Sequence, residues 1–335
     1  MQKLNIIEKI SNKERYLIDY ANLINGDFIY QTKTLKKKKD LKNFLKKPKN
    51  GIPVIFPEKL DYFLYSKLKK DKFSIGKNFY LKYLFRLNKK DYIPEKILIK
   101  FGLNFSNIIG LKTANSKKKV KEIINFNNES KKKIKNLKKK FSKICAFQTR
   151  NIPHLGHEEI IKKLLITFDH VVVNPVLGPK KAGDINYKLL YSAFDFLIKK
   201  KYKKKVSFVP IIANMFYAGP YEALHHANLR KSYGFDYFVI GRDHAGAQNA
   251  YKPHHAIKLA DKYKKEIQIN IVTLNGAYLC DDCKKIVIKG DCKHSGKLRN
   301  ISGTDFRECL ITKSNYHYAD LDMQKYLKKF KKIIN

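Results

Sequence analysis

Two histidines three residues apart, His154 and His157, sit in the run FQTRNIPHLGHEEI just behind Gln148, Arg150 and Asn151. On a strand-to-helix turn this run would make an anion cradle. A helix beginning near His157 directs its unpaired backbone N–H groups and positive dipole end at the turn, so an anion is favoured there before any side chain acts. His154 and His157 can donate to phosphate oxygens, the more strongly as charge builds on them. Gln148 and Asn151 add neutral donors, and Arg150 adds a fixed charge whose fork grips two oxygens at once. Such a set suits the stabilisation of a transferring phosphoryl group, a reaction governed by positioning and electrostatics. An HxxH pair by itself would serve equally as a helix cap or a metal-binding pair.

GRDHAG, Gly241 to Gly246, offers a second anion-binding loop. Its glycines allow backbone to approach a ligand closely, Arg242 supplies a second fork and His244 a further donor, while a plain tight turn would pair Asp243 with Arg242. Arginine is informative here because the basic excess is almost all lysine: only seven arginines occur, including Arg15, Arg230, Arg299 and Arg307. Farther on, CDDCKKIVIKGDCKH places Cys280, Cys283, Cys292 and His294 as CxxC, a hairpin-sized gap and CxH. Two such knuckles can close a tetrahedral zinc site; free buried thiols are the competing reading. Five cysteines, an odd number, argue against a disulfide framework, and Cys145 and Cys309 read as core residues.

The elements that must position these residues are legible from Ile144 onward. Short apolar runs, ICAF, HVVV, VSFVPII, YFVIG and IQINIVTL, alternate with segments of helical period. Ile160, Ile161, Leu164 and Leu165 line one face of the first helix; Leu189, Leu190, Ala193, Phe194, Leu197 and Ile198 line the second. Strands alternating with helices predict an α/β fold with a parallel sheet covered on both faces. Ligands of such sheets bind beyond the carboxyl ends of the strands, where QTRNIPHLGH, NPVLGPKKAGD, ANMFYAGP and GRDHAG would meet in one crevice. Upstream, Ser116 to Lys140 is dense in charge and reads as a solvated helix or linker, with a domain boundary near its end. The expected division is 1–140, 141–275 and 276–335.

At 335 residues with 44% hydrophobic content, the chain can bury a sizeable core. No apolar run approaches a membrane span and the start lacks the zones of a secretory signal, so a soluble, cytoplasmic protein without a membrane partner is expected. The net charge of +42 would suit a polyanion, yet Lys accompanies abundant Ile, Asn, Phe and Tyr with no Trp, the bias of an AT-rich coding sequence. No internal repeat and no GxxxxGK[ST] run is present, which argues against a fused P-loop kinase.

FQTRNIPHLGHEE, NPVLGPKKAGD, YAGPYEALHHANLRKSYGFDYFVIGRDHAG and SGTDFRECL, in that order between about Ile144 and Leu310, resemble the ATP sulfurylases, a branch of the HxGH nucleotidyltransferases. The resemblance implies a Rossmann-like catalytic domain over 141–275, an N-terminal PUA-like α+β domain over 1–140 and a small C-terminal domain over 276–335. It implies that MgATP and sulfate give adenosine 5′-phosphosulfate and pyrophosphate by direct attack of sulfate on the α-phosphate, or the reverse for ATP synthesis. By motif position, Gln148, Arg150, Arg242 and the backbone at Ala245 would hold sulfate. His154 and His157 would bind the ATP phosphates and stabilise the transition state, with Gln148 and Asn151 beside them. Gly178, Lys181, Gly183 and Asp184 would form part of the nucleotide loop, with Gly241, Asp243 and His244 also at ATP. Mg2+ would enter with ATP, a structural zinc would occupy the cysteine cluster, and a homo-oligomer is usual.

The proline of RNIPH stands one place from its usual position, and Phe216 and Tyr221 replace frequent arginines. Two rival functions are an HxGH nucleotidyltransferase acting on an organic phosphate and an RNA-binding protein using the Lys-rich N-terminal region and a zinc module.

Overall fold

Five short runs of β-branched and aromatic residues, bounded by polar turns, pair side by side in the computed structural model, which describes residues 5–11, 14–27, 114–180, 183–215, 219–242, 244, 252–264, 267, 269–294 and 297–334. In chain order the elements are α1 (Asn5–Glu8), α2 (Arg15–Ile24), α3 (Ala114–Lys138), β1 (Ile144–Phe147), α4 (Leu155–Thr167), β2 (His170–Val173), β3 (Val176–Leu177) and α5 (Tyr187–Lys201). There follow β4 (Val206–Phe208), β5 (Ile211–Ile212), α6 (Pro220–Ser232), β6 (Tyr237–Gly241), α7 (His255–Lys262) and β7 (Asn270–Leu274). The last are β8 (Ala277–Cys280), β9 (Ile286–Ile288), β10 (Leu298–Asn300), α8 (Gly303–Ile311) and α9 (Leu321–Leu327).

The main sheet runs β4-β2-β1-β6-β7, and every pairing in it is parallel. β1 and β2 are buried along their whole length, as a strand covered on both faces must be, which is why ICAF and HVVV read as unbroken apolar runs. The expected helical faces are in place: Ile161 and Leu164 of α4, and Leu189, Leu190, Ala193, Phe194 and Leu197 of α5, are buried against the sheet. Strand order reverses between β1 and β6, and a crevice opens beyond the carboxyl ends at such a reversal.

VSFVPII, expected as one strand, is two. β4 pairs with β2, then Pro210, having no N–H to give a ladder, interrupts; β5 pairs instead with β3 in a separate two-stranded parallel sheet. Gly178 follows β3, where an added Cβ would come within 2.6 Å of the Ala213 carbonyl oxygen, so this glycine serves the close packing of those two segments.

α3 is not a linker. Val120, Ile123, Asn127, Ser130 and Ile134 form a buried stripe at alternating spacings of three and four. Asn127 donates to Asn22 Oδ1 (2.8 Å) and to the Ile212 carbonyl (3.0 Å) and accepts from Ile212 N–H (2.8 Å); Ser130 donates to the Pro210 carbonyl (2.7 Å). Asn and Ser in the stripe hide its period from an apolar count. Leu17, Ile18 and Ala21 of α2 join the same core, so the described residues before 140 pack with the sheet. The rest of the segment for which a PUA-like domain was expected lies outside the described residues.

Beyond β7 the chain forms an antiparallel sheet, β10-β8-β9, whose inner edge meets α4: a Cβ on Gly156 would lie 3.4 Å from that of Ala277. Among the described residues no helix is long and apolar enough to cross a membrane.

Candidate active site

A cavity of about 790 Å³ opens at the reversal in strand order. All four expected loops reach it, through Gln148, Arg150 and Asn151 after β1, Asp184 after β3, Met215 after β5, and Gly241, Arg242 and His244 at the end of β6. The far wall comes from the C-terminal segment: Tyr278, Asn300, Ser302, Gly303, Thr304 and Arg307.

His154 and His157 line the cavity and also build the start of α4. His154 is the N-cap, its Nδ1 accepting the Gly156 N–H at 3.1 Å, while His157 Nδ1 accepts the His154 N–H at 3.4 Å, a reciprocal capping box. A ring nitrogen that accepts cannot carry the proton, so in each neutral imidazole the proton is on Nε2. His157 Nε2 stands 3.1 Å from the Thr149 hydroxyl; His154 keeps Nε2–H for the cavity. The rings lie 4.0 Å apart, centroid to centroid. Burial holds both neutral: it pushes His154 well below the ordinary histidine range, with His157 adding to the effect, and takes His157 down to about 4. Both rings are therefore neutral in the free protein; both help to cap α4, and His154 has Nε2–H left to offer a ligand.

Asp184 organises the cations. Its buried carboxylate faces Arg150 Nη1 and Arg307 Nη1, each at 3.9 Å, and Arg307 also donates to the Gly183 carbonyl. Lys180 is buried nearby, its ammonium without a hydrogen-bond partner among the described residues. Burial lowers its pKa to about 8 against the pull of Asp184. Across the cavity, Arg242 donates to the Tyr278 hydroxyl and to Asn300 Oδ1 (3.2 Å). Gln148 has only the Met215 sulfur at 3.9 Å for its amide nitrogen, and its buried Oε1 has no partner among the described residues.

A second helix start converges here. Ser302 caps α8 by accepting from the N–H groups of Thr304 (3.2 Å) and Asp305 (3.1 Å), and Ser302, Gly303 and Thr304 line the cavity. Gly303 gives Asn151 room to pack closely: an added Cβ would fall 2.9 Å from Asn151 Nδ2. Two helix N-termini and three arginines around one cavity form a site for a polyanion, or for two anions together.

The cavity thus gathers Gln148, Arg150, Asn151, His154, His157, Asp184, Gly241, Arg242 and His244. Gly178 and Gly183 are outside its lining. Lys181, Asp243, Ala245 and Phe216, and the side chain of Tyr221, lie outside the described residues. The sequence reading missed Arg307, Tyr278, Asn300 and Thr149. Arg307 carried two signals, its scarcity and its place one turn inside a Ser-capped helix. His225 and His226 of α6 are fully buried, and His226 lies against His244.

Cys280, Cys283, Cys292 and His294 come together as a group able to hold a metal ion, their ligand atoms all within 4.8 Å of one another. Zinc–sulfur bonds of about 2.3 Å in a tetrahedron require sulfur–sulfur edges of about 3.8 Å. The Cys280–Cys292 separation is 3.8 Å, and His294 Nδ1 lies 3.7 Å from Cys280 Sγ and 3.1 Å from Cys292 Sγ. The donor set fits zinc. It closes the β8–β9 turn, and β8 and β10 carry Tyr278 and Asn300, the partners of Arg242.

The ATP-sulfurylase family model matches residues 122–316, more than half of the chain. A sulfate adenylyltransferase of Pyrococcus abyssi is 40% identical over 170 residues, 50% of this chain and 45% of that protein. The sulfate adenylyltransferase of Staphylothermus marinus is 40% identical over 169 residues, 50% of this chain and 44% of the relative. The match therefore spans about half the length of these relatives. Among solved structures, a hexameric APS kinase from Thiobacillus denitrificans superposes with a TM-score of 0.44 at 14% identity, covering 57% of this chain and 37% of that one.

Proposed function

Because this chain belongs to the ATP-sulfurylase family, we propose that it is a sulfate adenylyltransferase, joining MgATP and sulfate to give adenosine 5′-phosphosulfate and pyrophosphate. The observation that carries this reading is the convergence of two helix N-termini with Arg150, Arg242 and Arg307 at one reversal of strand order. Two mutually repelling anions must be forced together, and that array offsets their repulsion.

In this reading Gln148, Arg150 and Arg242 hold sulfate, with the backbone at Ala245 as a further donor. A sulfate oxygen forms the new bond to the α-phosphorus; the bond to the oxygen bridging the β-phosphate breaks, and its electron pair leaves on pyrophosphate. Sulfate has no proton to lose at neutral pH, so no general base is required. His154 presents Nε2–H to the phosphates, His157 keeps the Thr149 hydroxyl and the helix start in place, and Asn151, packed on Gly303, adds a donor. Arg307 joins the phosphate site. Lys181, Gly183, Asp184, Gly241 and Asp243 belong to the nucleotide side, Gly178 serving it through packing. Mg2+ arrives with ATP as part of the substrate and neutralises phosphate charge.

Zinc is assigned to Cys280, Cys283, Cys292 and His294 as a structural ion, and a cytoplasmic homo-oligomer completes the proposal. The division into 1–140, 141–275 and 276–335 belongs to the same proposal, with α2 and α3 packed on the core of the sheet. Pyrophosphate release from MgATP with and without sulfate tests the function. Strict sulfate dependence is expected, with a loss of about a hundredfold or more in Arg150→Ala and little recovery in Arg150→Lys, because an ammonium cannot replace the fork. Release that proceeds equally without sulfate would refute it.

A further inference from the structure

We propose that Arg15 is a positioning residue for the anion site: from α2, ahead of the segment that the family model matches, it fixes Met215, whose sulfur seats the carboxamide of Gln148. The proposal rests on the reading of Gln148 as a sulfate ligand and specifies what orients that side chain.

Gln148 is held weakly. Its amide nitrogen has the Met215 sulfur at 3.9 Å and its buried Oε1 has no partner among the described residues, so one weak acceptor governs the carboxamide. The terminal torsion of a glutamine is broad, and a methionine turns about three bonds, so two such side chains cannot fix each other. The hold on Met215 must therefore act on its backbone.

That hold comes from α2. Where β5 ends, the Ala213 N–H still reaches the Leu177 carbonyl at 3.1 Å. Beyond it Arg15 takes over: Nε donates to Asn214 Oδ1 at 3.2 Å and Nη2 to the Met215 carbonyl at 2.5 Å, while Asn214 Nδ2 donates back to the Arg15 carbonyl at 2.8 Å. Arg15, Asn214 and Met215 are all buried, and hydrogen bonds are electrostatically stronger there than at a surface. The planar guanidinium reaches both acceptors in a fixed relation, which an ammonium cannot do.

α2 is itself anchored at both ends. Asn22 donates to the Ile212 carbonyl at 3.1 Å, and just before the helix Glu14 accepts from Lys119 of α3 at 2.7 Å. The helix thus spans the exit of β5. Gln148 and Met215 line the cavity and Arg15 is outside its lining, so Arg15 acts on a ligand only through the residues it holds.

The test uses the small number of methionines, Met1, Met215 and Met323. In the full chain labelled with 13C at the methionine methyls, saturating sulfate is expected to move the Met215 resonance and to leave that of Met323, buried in α9, in place. Arg15→Lys is expected to displace the Met215 resonance in the ligand-free protein, with an unmoved Met323 reporting an intact fold. In turnover, Arg15→Lys should raise the sulfate concentration for half-maximal rate about tenfold, the range of one lost charged hydrogen bond, and change that for ATP little. Met215→Leu, which keeps the volume and removes the sulfur, should also raise the sulfate requirement and leave the melting temperature nearly unchanged. Equal increases for sulfate and ATP in Arg15→Lys, a Met215 resonance left in place by Arg15→Lys or by saturating sulfate, or an unchanged sulfate requirement in Met215→Leu would overturn the proposal. A wild type without sulfate-dependent turnover would overturn the function itself, while the ligand-free spectrum of Arg15→Lys would still decide whether Arg15 positions Met215.

Discussion

His157 makes two demands on one ring. Its Nδ1 must stay bare to accept the His154 N–H, yet the unfolded chain protonates histidine near pH 6.5. With the folded value lowered to about 4, the unfolded state binds the extra proton first. The stability this ring contributes is therefore complete above pH 6.5 and is lost as pH falls through the window down to about 4, a difference on the order of 3 kcal/mol. His154, His225, His226 and His244 are lowered in the same direction, so they act with the same sign. Urea midpoints are expected to fall steeply between pH 6.5 and 4.5, and His157→Asn, which keeps an acceptor without a titrating ring, should flatten the slope. An unchanged midpoint across that interval would contradict the burial argument.

At the level of elements, α4 and α8 each bring a capped N-terminus to the cavity, and the caps differ in kind. Ser302 caps and can do little else, whereas His154 caps with one nitrogen and offers the other to a ligand. These roles separate by substitution. His154→Ala should lose the cap, costing about 1 kcal/mol, together with turnover. His154→Asn should keep the cap through its side-chain oxygen and still lose turnover, by about a hundredfold. Paired melting curves and rate measurements decide this; equal stability loss in both variants would mean that Asn does not reproduce the cap. The lysine-rich α3 shows a different economy of design: its buried Asn127 and Ser130 satisfy backbone groups at Ile212 and Pro210, where the strand breaks, so polar residues there are as necessary as apolar ones.

Across the whole molecule, the Cys/His cluster and the cavity are linked through one small sheet. Cys280, Cys283, Cys292 and His294 gather at the turn of a small sheet whose strands carry Tyr278 and Asn300, and these grip Arg242. Purified protein is expected to contain about one zinc per chain. Its removal by a chelator, or Cys283→Ser, should lower the melting temperature and raise the sulfate concentration needed for half-maximal turnover more than that of ATP. Metal analysis finding no zinc, with chelation changing neither quantity, would show that the thiols are simply free. Among the described residues the cavity is lined by three arginines and no lysine, so the +42 charge has no counterpart in that lining.

The alternation of apolar runs and helical periods was enough to establish a parallel α/β sheet, and the local motifs were enough to mark Gln148, Arg150, Asn151, His154, His157 and Arg242, because each motif is contiguous and its neighbours in space are its neighbours in the chain. Strand order is a long-range property, so the reversal between β1 and β6 that opens the cavity could only be seen in the folded sheet. The same holds for Arg307, separated from Asp184 by more than a hundred residues, and for the stripe on α3, whose polar members find their partners only across the core. Protonation is the extreme case. The sequence names the histidines, but burial decides that His154 and His157 are neutral, and their backbone contacts decide which nitrogen of each carries the proton.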